Sequence, residues 1–141
     1  MNPLPSPSPS APCIALIAHD AKKEQMVAFA VRHAVFLLTQ RLVATRTTGN
    51  LIRAHFNLPV EAMLSGPLGG DLQIGAMIAT GQVRAVVFLR DPLTAHPHEP
   101  DIAALLKVCD VYNIPLATNE ATAEVLVRHL SEADARPAGL T

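Results

Sequence analysis

Groups able to hold an anion or move a proton recur in this chain at one kind of place, just after a short apolar run. Cys13 to Ala18 is followed by His19-Asp20-Ala21-Lys22-Lys23, and Arg41 to Ala44 by Thr45-Arg46-Thr47-Thr48-Gly49. Val60 to Leu64 leads into Ser65-Gly66-Pro67-Leu68-Gly69-Gly70-Asp71. Arg84 to Leu89 opens into Asp91-Pro92 and His96-Pro97-His98-Glu99-Pro100-Asp101, and Ile114 to Ala117 into Thr118-Asn119. Threonine hydroxyls and the free N–H groups of a starting helix can converge on a phosphate. Ser65 and Gly66 can add to them, Gly66 because a residue without a Cβ lets a ligand oxygen reach the backbone. Lys23 brings a full positive charge. Asp71, His98 and Asp101, with His19, Asp20 and Asp91, form an acid–base set. Together these residues describe one composite site for a phosphorylated small molecule.

Each signal has a plainer reading. Threonines at a strand-to-helix turn serve as caps, as do Asp71 and Asp101 near helix starts. Lys22 and Lys23 can be solvated surface residues. His96 and His98 can be loop histidines without a role. His96-Pro97-His98 is also an HxH, but no distant carboxylate or i, i+4 partner completes a metal-ligand set, so no metal is expected. Neither GxxxxGK[ST] nor GxGxxG occurs, which argues against a nucleotide or dinucleotide cradle.

The elements that must position these groups alternate in type. Runs rich in Val, Ile and Leu are separated by segments of helical period, the signature of repeated βα units and a parallel sheet. The spacing predicts helices over Lys22 to Gln40, Thr48 to Phe56, Gly70 to Thr80 with a left-handed stop at Gly81, Pro100 to Tyr112, and Glu120 to about Leu130. The expected fold is α/β: a single three-layer domain built on a five-stranded, parallel, doubly wound sheet with helices on both faces. In such sheets ligands bind outside the carboxyl ends of the strands, where all five polar clusters fall.

Composition agrees. A chain of 141 residues is about one domain long, and half of it is hydrophobic with only 4% aromatics and no Trp, a mixture suited to a helix-covered parallel sheet. A formal charge of −1 without long charged blocks gives no broad surface for nucleic acid or an anionic membrane. No apolar stretch approaches the ~20 residues that span a bilayer, and nothing reads as a secretory signal, so a soluble cytoplasmic protein is expected. Cys13 and Cys109 lie in apolar patterns without ligand spacing and read chiefly as buried, reduced thiols. Residues 1–12, with alternating Pro and Ser, are expected to be a disordered tail, 13–131 the folded domain and 132–141 a flexible end.

Taken together, His19-Asp20-x-x-Lys23, Thr45-x-Thr47-Thr48-Gly49-Asn50, Ser65-Gly66-Pro67-x-Gly69-Gly70-Asp71 and Asp91-Pro92-Leu93-x-x-x-Pro97-His98-x-x-Asp101 resemble the methylglyoxal synthase family. Asn113-Ile114-Pro115-x-Ala117-Thr118-Asn119-x-Ala121-Thr122 continues the likeness, which runs from Cys13 to Leu130. The resemblance implies a flavodoxin-type winding and a lyase that converts dihydroxyacetone phosphate into methylglyoxal and inorganic phosphate. It implies no metal or organic cofactor, a homohexamer, and inorganic phosphate as product and inhibitor. It assigns Asp71 as catalytic base and His98 with Asp101 as a partnered acid–base element. His19, Lys23, Thr45, Thr47, Thr48, Ser65, Gly66 and His98 become substrate contacts, with Asp20 and Asp91 in supporting electrostatic roles. Arg46 stands where relatives often carry Gly, and can either alter the turn or add a phosphate contact. The chain also ends earlier than many relatives, which bears on subunit contacts. The rival from another class is a non-catalytic regulatory module of the same fold, as in carbamoyl-phosphate synthetase. A related cyclohydrolase would need room for a base and ribose that the short 91 to 101 loop does not suggest.

Overall fold

The computed structural model describes residues 7–136; residues 1–6 of the expected N-terminal tail and residues 137–141 of the expected flexible end lie outside them. Five parallel strands form the sheet: β1 (Cys13–Ala18), β2 (Leu42–Ala44), β3 (Val60–Ala62), β4 (Val83–Leu89) and β5 (Leu116–Ala117). The helices are α1 (Lys23–Arg32), α2 (Ala34–Leu37), α3 (Arg46–His55), α4 (Gly70–Ala79), α5 (Glu99–Val111) and α6 (Glu120–Ala135). Every residue of β1 is buried, as expected of a central strand covered on both faces.

Alternate residues of that strand feed two cores. Ile14, Leu16 and Ala18 pack with Met26 and Phe29 of α1, Ile52 of α3 and Leu126 of α6. Cys13, Ala15 and Ile17 face the other way, with Ile74 and Ile78 of α4 and Ile102, Leu105 and Cys109 of α5. Both cysteines are therefore buried, unpaired thiols in one layer. Burial pushes the Cys109 thiol up to about 11, which removes the thiolate that nucleophilic chemistry needs.

The three-layer, doubly wound α/β architecture is as expected, but the winding corrects one detail. The strand order is β3-β2-β1-β4-β5, not the flavodoxin-type order 2-1-3-4-5. The chain runs outward through β1, β2 and β3 with its helices on one face. α4 then carries it across the opposite face to β4, back beside β1, and right-handed crossovers require the direction to reverse with the change of face. The switch point therefore lies between the carboxyl ends of β1 and β4.

The predicted helix from Lys22 to Gln40 is divided at His33, whose φ of −109° and ψ of 21° interrupt the spiral between α1 and α2. His33 Nε2 lies 2.6 Å from Glu124 Oε2, and Arg32 binds Glu124 Oε1 at 2.7 Å. This partner comes from α6, so local periodicity could not register it. α6 in turn continues to Ala135, well past the predicted end. Its last turn is fastened by Asp134, which accepts two hydrogen bonds from Arg84 at 2.9 and 3.0 Å and a third from Gln40 at 2.9 Å. Arg84 is free for this because the β1–β4 register steps there: Cys13 pairs with Val83 and Ile14 with Ala85. Gly81 has φ +77°, the left-handed stop expected after α4. Among the described residues no helix is long and apolar enough to cross a membrane.

Candidate active site

At the switch point, the ends of β1 and β2 and the segments following β3 and β4 enclose a cavity of about 280 Å³. Its walls include His19, Asp20, Lys23, Thr45, Thr47, Gly66, Asp71 and His98. The end of β5 is not among them. Asn119 instead accepts from the N–H and hydroxyl of Thr122, both at 2.9 Å, and caps α6.

The first side of the cavity carries cation and hydroxyls. Thr45 occupies the N-cap position of α3, yet its side chain makes no capping hydrogen bond. Its hydroxyl donates to Thr48 Oγ1 at 3.3 Å, and Lys23 Nζ reaches the same oxygen at 3.4 Å. The capping explanation thus fails for Thr45. Lys23 also donates to the carbonyl of Ala18 at 2.5 Å and approaches Asp20 at 3.5 Å. Burial holds its ammonium below the usual lysine range, with Asp20 opposing. Thr48 is buried behind the wall and acts through this chain of contacts, while Arg46 is exposed on the first turn of α3. Ser65 likewise contributes backbone: its carbonyl accepts from Leu68 at 3.0 Å and Gly70 at 2.9 Å, folding the loop that presents Gly66.

The opposite side carries the acid–base groups. Asp71, in the first turn of α4, is 1% exposed, and neither carboxylate oxygen has a hydrogen-bond partner. A capping aspartate would be bonded to backbone N–H groups; this one faces the cavity. Its nearest counter-group is His98 Nε2 at 3.5 Å. Burial pushes the Asp71 carboxyl above the ordinary range, the His98 charge pulls it down and the Asp101 charge pushes it further up.

The expected pairing of His98 with Asp101 takes another form. The ring of His98 turns Nε2 toward Asp71 and leaves Nδ1 buried without a partner. The connection to Asp101 is through backbone, its N–H donating to the His98 carbonyl at 3.0 Å. Asp101 therefore reaches the site by charge on Asp71. Gly66 packs under the same imidazole; a Cβ there would lie 2.8 Å from His98 Nε2, which gives the glycine a steric reason.

His19 has a defined tautomer. Its Nδ1 accepts the backbone N–H of Asp91 at 2.8 Å, so the ring proton sits on Nε2, which is buried and unpartnered in the cavity. Burial first, then the charges of His96, His98 and Arg90, lower its pKa to about 4. At neutral pH it is an uncharged donor. Asp91 thus serves through its N–H, while its carboxylate accepts from the N–H of Leu93 at 3.1 Å. Asp20 lies at the mouth with its side chain 99% exposed.

Two residues given no role in the site by the sequence contribute to it. His96 stacks on His19 with centroids 3.7 Å apart and rings 24° from parallel. Gly70 allows the Leu64 carbonyl to pass where a Cβ would stand. Among the described residues no group of three His, Cys, Asp or Glu side chains is arranged to hold a metal ion.

Comparison with known proteins follows the same geometry. Residues 25–118 match the family model described as "MGS-like domain". The chain is 60% identical over 126 residues to methylglyoxal synthase of Cupriavidus pinatubonensis, covering 89% of this chain and 97% of the relative. The chain belongs to the methylglyoxal synthase family. The methylglyoxal synthase of Cupriavidus metallidurans is 63% identical over 122 residues, 86% of this chain and 87% of that one. The crystal structure of methylglyoxal synthase from Elizabethkingia anophelis superposes with a TM-score of 0.78 at 44% identity, over 84% of this chain and 78% of its own. As a family member the chain is a lyase.

Proposed function

We propose that the cavity takes up dihydroxyacetone phosphate and eliminates its phosphate through an enediolate, giving methylglyoxal. The observation that carries this reading is Asp71: a buried carboxylate without a hydrogen-bond donor, facing a cavity whose other wall holds Lys23 and the threonines. Desolvation makes such a carboxylate a stronger base than in water.

Asp71 takes a proton from the hydroxymethyl carbon, and the electron pair of that C–H bond becomes the C=C of the enediolate. The neutral His19 Nε2–H supplies a donor to its oxygens. His98 then removes the proton from the terminal hydroxyl. That carbon becomes the aldehyde, the double bond moves toward the phosphorylated carbon, and the C–O bond to phosphate breaks. The released enolate takes up a proton at its methylene carbon to give methylglyoxal. Lys23, Thr45, Thr47, Gly66 and the α3 N-terminus hold the leaving dianion, with its C–O bond out of the enediolate plane so that π overlap favours elimination. Thr48, Ser65 and Arg46 support that wall, the first two from behind it.

Purified protein incubated with dihydroxyacetone phosphate is expected to yield methylglyoxal and free phosphate in equal amounts. Conversion mainly to glyceraldehyde 3-phosphate would mean that the enediolate forms but the phosphate is protected. Phosphate-dependent binding without turnover would instead mark a regulatory module. The same site implies competition by inorganic phosphate. The reading includes a homohexamer, supported by apolar side chains left exposed beside the site: Leu93 is 94% exposed and Leu68 72%. It also includes action in the cytoplasm, with which two buried reduced thiols agree.

The pH dependence follows from the base. Asp71 works ionised, and its pKa lies above the ordinary carboxylate value, so kcat/KM is expected to fall with decreasing pH before the ordinary carboxylate range is reached. His19, neutral above about 4, leaves that limb to other groups. A profile that stays flat down to the ordinary carboxylate range would remove Asp71 from the base role.

A further inference from the structure

The mechanism leaves His96 unused, yet its position is unusual for a loop histidine. Its ring lies face to face with His19 and approaches His98 at 5.7 Å in a T-shaped contact. It lines the same cavity as Lys23 and Asp71, and its Nε2 is buried without a hydrogen-bond partner. Pro97 follows it, restricting its backbone to extended conformations, and the stack against His19 fixes the plane of the ring. A polar nitrogen held this way, out of water and unmet by the protein, is unfavourable unless a ligand meets it.

We propose that His96 is a third substrate-holding histidine, donating its Nε2–H to an oxygen of the phosphorylated ligand. The inference rests on the reading of the cavity as a phosphate-ester site and extends it by one residue. A phosphate dianion offers only acceptors, so the nitrogen facing it must carry the proton, as His19 Nε2 does beside it. A phosphate contact is made in the ground state as well as in the transition state. Its loss therefore raises KM and leaves kcat nearly unchanged.

Two substitutions separate the donor from the ring. His96→Phe keeps an aromatic face against His19 and removes the nitrogen; His96→Gln removes the ring and keeps an N–H donor. Inorganic phosphate binding by calorimetry and steady-state kinetics with dihydroxyacetone phosphate are measured on the full chain. For His96→Phe the phosphate Kd and the substrate KM are both expected to rise roughly tenfold, with kcat within about threefold of wild type. For His96→Gln both are expected to return to within about fivefold of wild type. Wild-type-like phosphate binding in the Phe protein, or a Gln protein as impaired as the Phe one, overturns the proposal. Failure of the lyase reading looks different: the wild-type protein itself would release no phosphate from the substrate, while the calorimetric comparison would still decide the role of His96.

Discussion

Asp71→Asn is expected to lower kcat by roughly a thousandfold, the scale of a lost general base, while the protein still binds inorganic phosphate near wild-type affinity. The two effects separate because Lys23, Thr45 and Thr47 form the anion wall, whereas Asp71 faces His98. The same substitution is expected to raise the melting temperature at neutral pH. Burial raises the pKa of Asp71 in the folded state, so folded protein binds this proton more tightly than unfolded protein does. Stability from this group is thus present below the unfolded pKa and is lost as pH rises through the folded one. At neutral pH the ionised carboxylate costs stability, and a neutral amide of the same shape relieves that cost. Turnover and thermal melts on one preparation check both halves. Unchanged turnover excludes the base role, and a lower melting temperature excludes the buried charge as a destabilising feature retained for catalysis.

Much of the site was legible because it depends on strand ends, and strand ends are local. Apolar runs such as Cys13 to Ala18 and Arg84 to Leu89 mark themselves by composition, and a parallel sheet delivers whatever follows them to one edge. What each residue does there depends on partners distant in sequence. Asp91 looked electrostatic, but it acts by donating its N–H to His19 across the sheet. Asp101 looked like the hydrogen-bond partner of His98; the ring instead turns Nε2 toward Asp71, a contact between α4 and the loop before α5. His33 carried the right helical spacing and still divides its helix, because Glu124 draws it aside. The strand order was out of reach for the same reason. βα repeats predict parallel pairing and right-handed crossovers, but which edge β4 joins is decided by the face on which α4 packs. His96 was hidden by its neighbours, since an HxH in a loop says nothing until the stack with His19 is seen.

Gly70→Ala is expected to have the largest structural effect, lowering stability by about 3 kcal/mol as backbone overlap forces the loop apart. A Cβ at this position would overlap the carbonyl oxygen of Leu64 and press against the methyl of Thr45. That carbonyl accepts the N–H of Arg46 at 3.4 Å, and Gly70 N–H itself donates to Ser65 at 2.9 Å. One joint thus brings together the end of β3 and the starts of α3 and α4. Neither wall can yield alone, because Leu64 N–H is also tied to Gln73 Oε1 at 2.7 Å. The overlap is with backbone, so no rotamer change relieves it, and the displaced segment carries both Gly66 and Asp71. Activity should therefore fall together with urea stability, in contrast to Asp71→Asn, where the two move in opposite directions. Gly75→Ala, one turn further along the same helix, has open space around its Cβ and is the matched control. There the substitution should raise stability slightly, since alanine is the better helix former. Equal urea midpoints for the two alanine variants would show that the contact at Leu64 does not constrain Gly70, and the close packing of α4 against the β3 end would lose its role in aiming Asp71.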